Sequence, residues 1–188
     1  MSSPRAERDV RQPPATVVWL TGLPCAGKST IAALTAGLLK TRGTVAVVLD
    51  GDLLRQTLST DLTFSAADRR EHGRRVALEA LTGLERSAVV IVALVSPLER
   101  IRAEAQAVLG DAFVEVHVDA PLTVCEERDV KGMYRRARNG SLADFTGVSS
   151  PYEPPRAPGL RLDTAHQTPA ESAECVMALL EARGALRA

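Results

Sequence analysis

The sequence is poor in aromatic residues. Phe, Tyr and Trp make up 3% of its 188 positions. It also lacks any long apolar run. The longest extends only from Ala88 to Val95, far short of the ~20 residues needed to span a bilayer as a helix. There is no excess charge of either sign, since 23 basic residues balance 23 acidic ones. A bulk electrostatic attraction to nucleic acid or to a membrane surface is therefore excluded. The three cysteines, Cys25, Cys125 and Cys175, form no C-x-x-C pair and no even set for a disulfide framework, which suits a reducing cytoplasm. His72, His117 and His166 make no metal-spaced set with them. The first residues carry charges and prolines rather than an apolar signal core, so nothing marks the chain for export.

What is present is strongly patterned. Gly22-Leu23-Pro24-Cys25-Ala26-Gly27-Lys28-Ser29 fits the phosphate-binding pattern G-x-x-x-x-G-K-[ST]. The apolar run Val17–Leu20 precedes it, and a helix-spaced segment from Thr30 to Leu39 follows. A strand that feeds a glycine-rich turn into a helix N-terminus makes an anion nest of inward N–H groups. Gly22 to Thr30 thus predicts a nucleoside triphosphate site, with Lys28 on the outer phosphates and the Ser29 hydroxyl on Mg²⁺. Downstream, strands are predicted over 44–49, 88–95 and 113–118. Helices are predicted over 67–84, 97–109 and 169–183, and a further one opening at 121–128. Alternation of this kind implies an α/β fold in three layers, a parallel sheet with helices on both faces. Residues 1–16 read as a flexible arm, 17–184 as one kinase domain, and the Arg-, Gly-, Ser- and Pro-rich stretch near 129–158 as a mobile lid.

A second cluster follows the strand at 44–49. Asp50-Gly51-Asp52 places two carboxylates at a strand's carboxyl end, beside the phosphate loop. The buried run 88–95, which in many phosphate-loop enzymes ends in the metal-holding Asp, is followed here by Ser96-Pro97. One of Asp50 and Asp52 therefore takes the metal role, and the other orients or deprotonates an acceptor hydroxyl. Arg55, one turn on, offers a fork of donors to an anionic acceptor.

Taken in order, the motifs resemble those of the adenylylsulfate (APS) kinase family. They are the phosphate loop, Asp50-Gly51-Asp52-Leu53-Leu54-Arg55, Phe64-Ser65-Ala66-Ala67-Asp68-Arg69, Val95-Ser96-Pro97, the run from Phe113 to Leu122, Cys125-Glu126-Glu127-Arg128-Asp129, Lys131 to Arg138, Phe145-Thr146-Gly147 and Ser150-Pro151-Tyr152-Glu153-Pro154-Pro155. The resemblance covers Val17 to Thr164. It implies a P-loop kinase that uses ATP and Mg²⁺ to phosphorylate the 3′-hydroxyl of adenylylsulfate, in the cytoplasm and as a homodimer. By resemblance, Asp52 lies at the acceptor hydroxyl, and Arg55, Phe64, Arg69 and His72 contact the acceptor. Phe145 closes over its adenine, Lys131 approaches the phosphates from the lid, and Arg128 lies near the ATP. Asp50 joins Ser29 at the metal, and Ser96 matches a serine that carries phosphate in some members.

Departures from the family pattern cluster on the acceptor side. Glu71-His72-Gly73-Arg74-Arg75 stands where the family reads Glu-Asn-Ile-Arg-Arg. His72 is expected to titrate near neutral pH, and Gly73 to open space or loosen its helix. Leu98 replaces an aromatic residue, Glu99 a positive charge and Ser149 an Asp. Two other readings stay open on this evidence: a relative redirected to a different hydroxyl acceptor, and a non-catalytic nucleotide-binding module. A GTPase-like switch is excluded because there is no Asn-Lys-x-Asp element, and a dinucleotide oxidoreductase because the glycine spacing is wrong.

Overall fold

In the computed structural model, which describes residues 14–186, the chain forms a parallel sheet of five strands between two layers of helices. The strands are β1 (Thr16–Thr21), β2 (Val47–Asp50), β3 (Val89–Ala93), β4 (Phe113–Asp119) and β5 (Leu160–Asp163), in the order β2-β3-β1-β4-β5. The helices are α1 (Lys28–Thr41), α2 (Gly51–Arg55), α3 (Ala66–Leu84), α4 (Glu99–Leu109), α5 (Leu122–Arg128), α6 (Met133–Arg138) and α7 (Pro169–Ala182). No helix among the described residues is long and apolar enough to cross a membrane.

β1 is the centre of the sheet, pairing with β3 on one side and β4 on the other. Its side chains alternate between the two faces, as a strand's period of two requires. Val17 and Trp19 pack in the cluster with Val76, Ala77, Ala80 and Ala105 of α3 and α4. Val18 and Leu20 pack with Ile31 and Leu39 of α1 and Val176 and Leu180 of α7. β1 and β3 are buried along their whole length, which is why they read as unbroken apolar runs rather than alternating ones. The chain leaves β1 for β2 and β3 on one side and crosses back for β4 and β5. That reversal opens a crevice beyond the carboxyl ends of the strands, where open α/β sheets bind ligands.

Several boundaries differ from the sequence reading. Of the arm expected over 1–16, residues 1–13 lie outside the described residues, and Thr16 is already a buried strand residue. The strand expected from Thr44 begins at Val47 and reaches Asp50, so the carboxylate closes the ladder opposite Ala93. The α4 helix starts at Glu99, because Ser96 adopts a positive φ of 36° and breaks the turn before it. Within the stretch read as loop, residues 133–138 form α6. The Asp129 carboxylate accepts from the backbone N–H groups of Tyr134 and Arg135 and caps that helix from upstream. Strand β5 was not anticipated, since Leu162 alone is buried in it and its neighbours are polar.

Gly73 does not loosen α3. A Cβ there would lie 2.5 Å from Ile101 Cγ2, so a methyl group from α4 already fills the space. The glycine permits close contact between α3 and α4. Gly73→Ala should therefore destabilise the fold by about 1–3 kcal/mol despite the better helix propensity of Ala. In chemical denaturation, Gly73→Ala combined with Ile101→Ala should cost less than the sum of the single changes; strict additivity would remove this account.

Candidate active site

The phosphate loop is held carbonyl by carbonyl. Lys28 Nζ donates to the carbonyls of Gly22 and Leu23 at 2.9 and 2.8 Å. The Tyr134 hydroxyl donates to Pro24 O at 3.0 Å, and Arg128 reaches Cys25 O at 3.4 Å. Thr164 Oγ1 donates to Ala26 O at 2.9 Å. With the carbonyls fixed outward, the alternate peptide dipoles turn N–H groups toward the crevice, which makes an anion nest. Two glycines make the path possible. A Cβ at Gly22 would sit 2.3 Å from Val118 O, and Gly27 caps α1 with φ of 108°, a conformation glycine adopts without strain.

The two carboxylates separate cleanly. Ser29 Oγ donates to Asp50 Oδ2 at 2.5 Å, directly beside the start of α1. The other oxygen of Asp50 accepts from the backbone N–H of Asp52 at 2.9 Å and so caps α2. Asp52 instead faces across the crevice, where Lys131 Nζ lies 2.6 Å from its Oδ2. The hard oxygens of Ser29 and Asp50 suit Mg²⁺, which keeps several waters and shares phosphate oxygens instead of demanding a full protein cage. No group of three or more His, Cys, Asp or Glu side chains able to hold a metal ion by itself occurs among the described residues.

On the far side, the guanidinium of Arg55 lies 4.5 Å and that of Arg69 5.6 Å from the ring centroid of Phe64. Such stacking fixes an exposed aromatic ring with cations on it. Phe64 is 49% exposed, a large apolar surface left facing the crevice. Both arginines are anchored. Arg55 donates to Thr63 O, and Arg69 donates to Phe64 O, Thr146 Oγ1 and Asp144 O. Arg69 thereby ties α3 to residues 144–146. Phe145 is nearly buried and meets Tyr134 edge-on at 4.9 Å between centroids.

Most of these groups line one cavity of about 510 Å³. It brings together Pro24 to Thr30, Asp50, Asp52, Arg55, Phe64, Arg69, His72, Ser96, Arg128, Lys131 and Phe145. Gly22 and Leu23 are the sequence candidates outside it; Leu23 lines a second, more open cavity on the other side of residues 147–154. Tyr134 and Thr164, which tie down the phosphate loop, were not given a role from the sequence, although Tyr134 lies within the Lys131–Arg138 motif. Ser96 is buried, with its hydroxyl accepting from Trp19 Nε1 at 3.0 Å.

The titration expected of His72 is corrected here. Its ring is buried, with Nδ1 2.9 Å from Ser59 Oγ. Burial first, and then the nearby Arg55 charge, push its pKa down to about 4, against smaller opposing effects from the Gly51 carbonyl and Asp52. His72 is therefore neutral at physiological pH. Lys28 is displaced too: burial lowers it to about 8, partly offset by Asp52.

The comparisons fit this geometry. The family model described as adenylylsulphate kinase matches residues 14–163. The chain belongs to the adenylylsulfate kinase family. An adenylyl-sulfate kinase of Paraburkholderia xenovorans is 47% identical over 168 residues, covering 89% of this chain and 94% of the relative. The structure of the Mycobacterium tuberculosis APS kinase CysC in complex with AMPPNP and APS superimposes with a TM-score of 0.84. It is 44% identical and covers 90% of this chain and 99% of that one. A hexameric APS kinase from Thiobacillus denitrificans matches at 29% identity and a TM-score of 0.69, covering 94% of this chain and 31% of that one.

A depressed histidine pKa carries a stability consequence. The unfolded chain protonates His72 below about pH 6.5 while the kinase resists until about pH 4, so stability is full above 6.5 and falls as the pH drops through that window. The loss at pH 5 should be roughly 2 kcal/mol. His72→Asn should flatten that part of the stability–pH curve, read by urea denaturation at pH 7 and pH 5. Parallel curves for variant and parent would exclude His72 as the source.

Proposed function

We propose that this kinase transfers the γ-phosphoryl group of ATP to the 3′-hydroxyl of adenosine 5′-phosphosulfate. The observation that carries the reading is the single cavity in which the phosphate loop, the separated Asp50 and Asp52, and the Arg55–Phe64–Arg69 cluster meet. ATP is assigned to the loop and to Arg128. Mg²⁺ held beside Ser29 and Asp50 would offset charge on the transferring phosphoryl oxygens.

The acceptor is assigned to the Phe64 and Phe145 side. Exposed aromatic surface offers a purine a stacking face, and guanidinium groups suit sulfate and phosphate oxygens. Asp52 orients the acceptor hydroxyl and takes its proton as the oxygen attacks in line. Lys131, which pairs with Asp52, turns to the phosphates when they arrive and leaves the carboxylate free for the hydroxyl. Lys28 gives the developing charge a second fixed cation. Residues 129–158 act as the lid that excludes water from this exchange. The fold over 17–184 is read as one kinase domain, which works in the cytoplasm and assembles as a homodimer. The hexameric relative supports assembly within the family, and light scattering on the purified protein decides the number.

Asp52→Asn should lower kcat by about 10²-fold or more while leaving ATP affinity within a few-fold, because the amide cannot accept the proton. Equal turnover in variant and parent would remove Asp52 from the mechanism. The primary assay is Mg-ATP with adenylylsulfate, product identified by mass, against AMP and an acceptor-free blank; transfer no faster than the blank would overturn the assignment.

ATP binding should also carry the Lys28 signature. The bound phosphates need the ammonium form, which is half depleted at pH about 8. Affinity should hold below pH 7 and weaken by about tenfold at pH 9, with uptake of a proton on binding. Calorimetry in buffers of different ionisation heat measures both. Unchanged affinity from pH 7 to pH 9 would contradict the role given to Lys28.

A further inference from the structure

The segment Leu94–Pro97, between β3 and α4, forms the wall of the cavity beside His72 and Asp52. Its backbone is unusual. Ser96 has a positive φ of 36°, a conformation that persists only where surrounding contacts enforce it. From the core side, Trp19 Nε1 donates to Ser96 Oγ, and the buried Arg102, paired with Glu115 at 2.6 Å, donates to Ser96 O at 3.0 Å.

A second set of contacts comes from the far end of the lid segment. Glu153 N donates to Pro97 O at 2.7 Å, and a Glu153 carboxylate oxygen accepts from Glu99 N at 2.7 Å. Beside it, the Tyr152 hydroxyl lies 3.2 Å from Thr21 Oγ1, which itself donates to Val95 O at 2.8 Å. Helix α4 has no side-chain cap of its own, because Leu98 occupies the N-cap position. The first N–H groups of a helix need an acceptor. Here a carboxylate from 54 residues downstream supplies one, where the helix dipole also favours negative charge.

We propose that Glu153 is a positioning residue: by capping α4 and bonding Pro97 it fixes the Ser96 wall, and so sets the affinity for the nucleotide acceptor without touching it. The inference rests on the acceptor assignment above. The contact pair is reciprocal, backbone to backbone and carboxylate to backbone, so it registers the end of the lid segment against the start of α4 at one position.

The test uses Glu153→Ala and Glu153→Gln in the full chain. A lost cap relaxes the wall, so Glu153→Ala should raise KM for adenylylsulfate about five- to tenfold and leave KM for ATP within about twofold. Glu153→Gln keeps a side-chain oxygen that accepts from Glu99 N and should stay within about twofold of the parent on both. An unchanged acceptor KM in Glu153→Ala, an equal rise in both KM values, or failure of Glu153→Gln to rescue would each overturn the proposal. Amide hydrogen exchange of the ligand-free protein gives an answer independent of the acceptor's identity. Residues 96–100 should exchange about fivefold faster in Glu153→Ala and at the parental rate in Glu153→Gln; equal rates in all three proteins would overturn it. If the parent fails to phosphorylate adenylylsulfate while the exchange difference appears, the substrate reading fails and the capping contact stands.

Discussion

The site depends on one constraint: each carbonyl of the phosphate loop from Gly22 to Ala26 is tied to a side-chain donor. Gly22 packs against Val118 of β4 and Ala26 is buried, and an unpaired buried carbonyl costs as much as a lost hydrogen bond. The donors are Lys28 on α1, Tyr134 on α6, Arg128 on α5 and Thr164 just after β5. The loop's shape is thus a property of the whole carboxyl half of the fold. The Tyr134 bond also holds α6 against the loop.

The acidic pair follows a similar logic. Asp50 is the last residue of β2, fixed by pairing opposite Ala93, and Asp52 lies in the first turn of α2. A five-residue helix has little stability of its own. It stands because Asp50 caps it and because Gly51 fits against Leu94 at the end of β3. The cap spends one Asp50 oxygen and leaves the other for Ser29. Asp52, not needed as a cap, is left for a cation across the crevice. One capping geometry separates the two acids, holding Asp50 at Ser29 and leaving Asp52 at Lys131, and the proposed metal and acceptor roles rest on that separation.

Much of this was legible in the sequence wherever the signal is local. The phosphate loop, the buried strands β1 and β3 and the helices α3 and α7 are set by patterns within a few residues. Strand β5 escaped because a half-exposed edge strand of four residues buries a single leucine. Helix α6 escaped because its cap is Asp129, upstream of it, and its arginines lie in a Gly-, Ser- and Pro-rich stretch that reads as a mobile lid. The carbonyl tethers from Tyr134, Arg128 and Thr164 and the Glu153 contact to Glu99 join residues 54 to 138 positions apart, and neither end has a local pattern that names the other. Gly73 is the instructive failure. Helix propensity treats it as a defect, whereas packing treats it as the place where Ile101 fits.

The same packing bears on whether the acceptor has changed. Five positions depart from the family pattern, and four do not line the main cavity. Gly73 is filled from α4. Glu99 sits in the first turn of α4, where the dipole favours its charge, with Arg156 3.8 Å away. Leu98 occupies the helix N-cap. Ser149 accepts from the backbone N–H of Phe145 at 2.9 Å and holds the turn that its position requires. Each is repaired where it stands. His72 alone lines the cavity, and there burial makes it a neutral imidazole already bonded to Ser59. A site built to hydrogen-bond its substrate discriminates steeply through such a group, because a mismatched partner leaves a buried polar atom unpaired. The departures therefore reduce to one side chain. The retained arginines, Phe64 and Phe145 favour the family's acceptor, and of the five departures His72 is the one placed to touch a ligand in the main cavity.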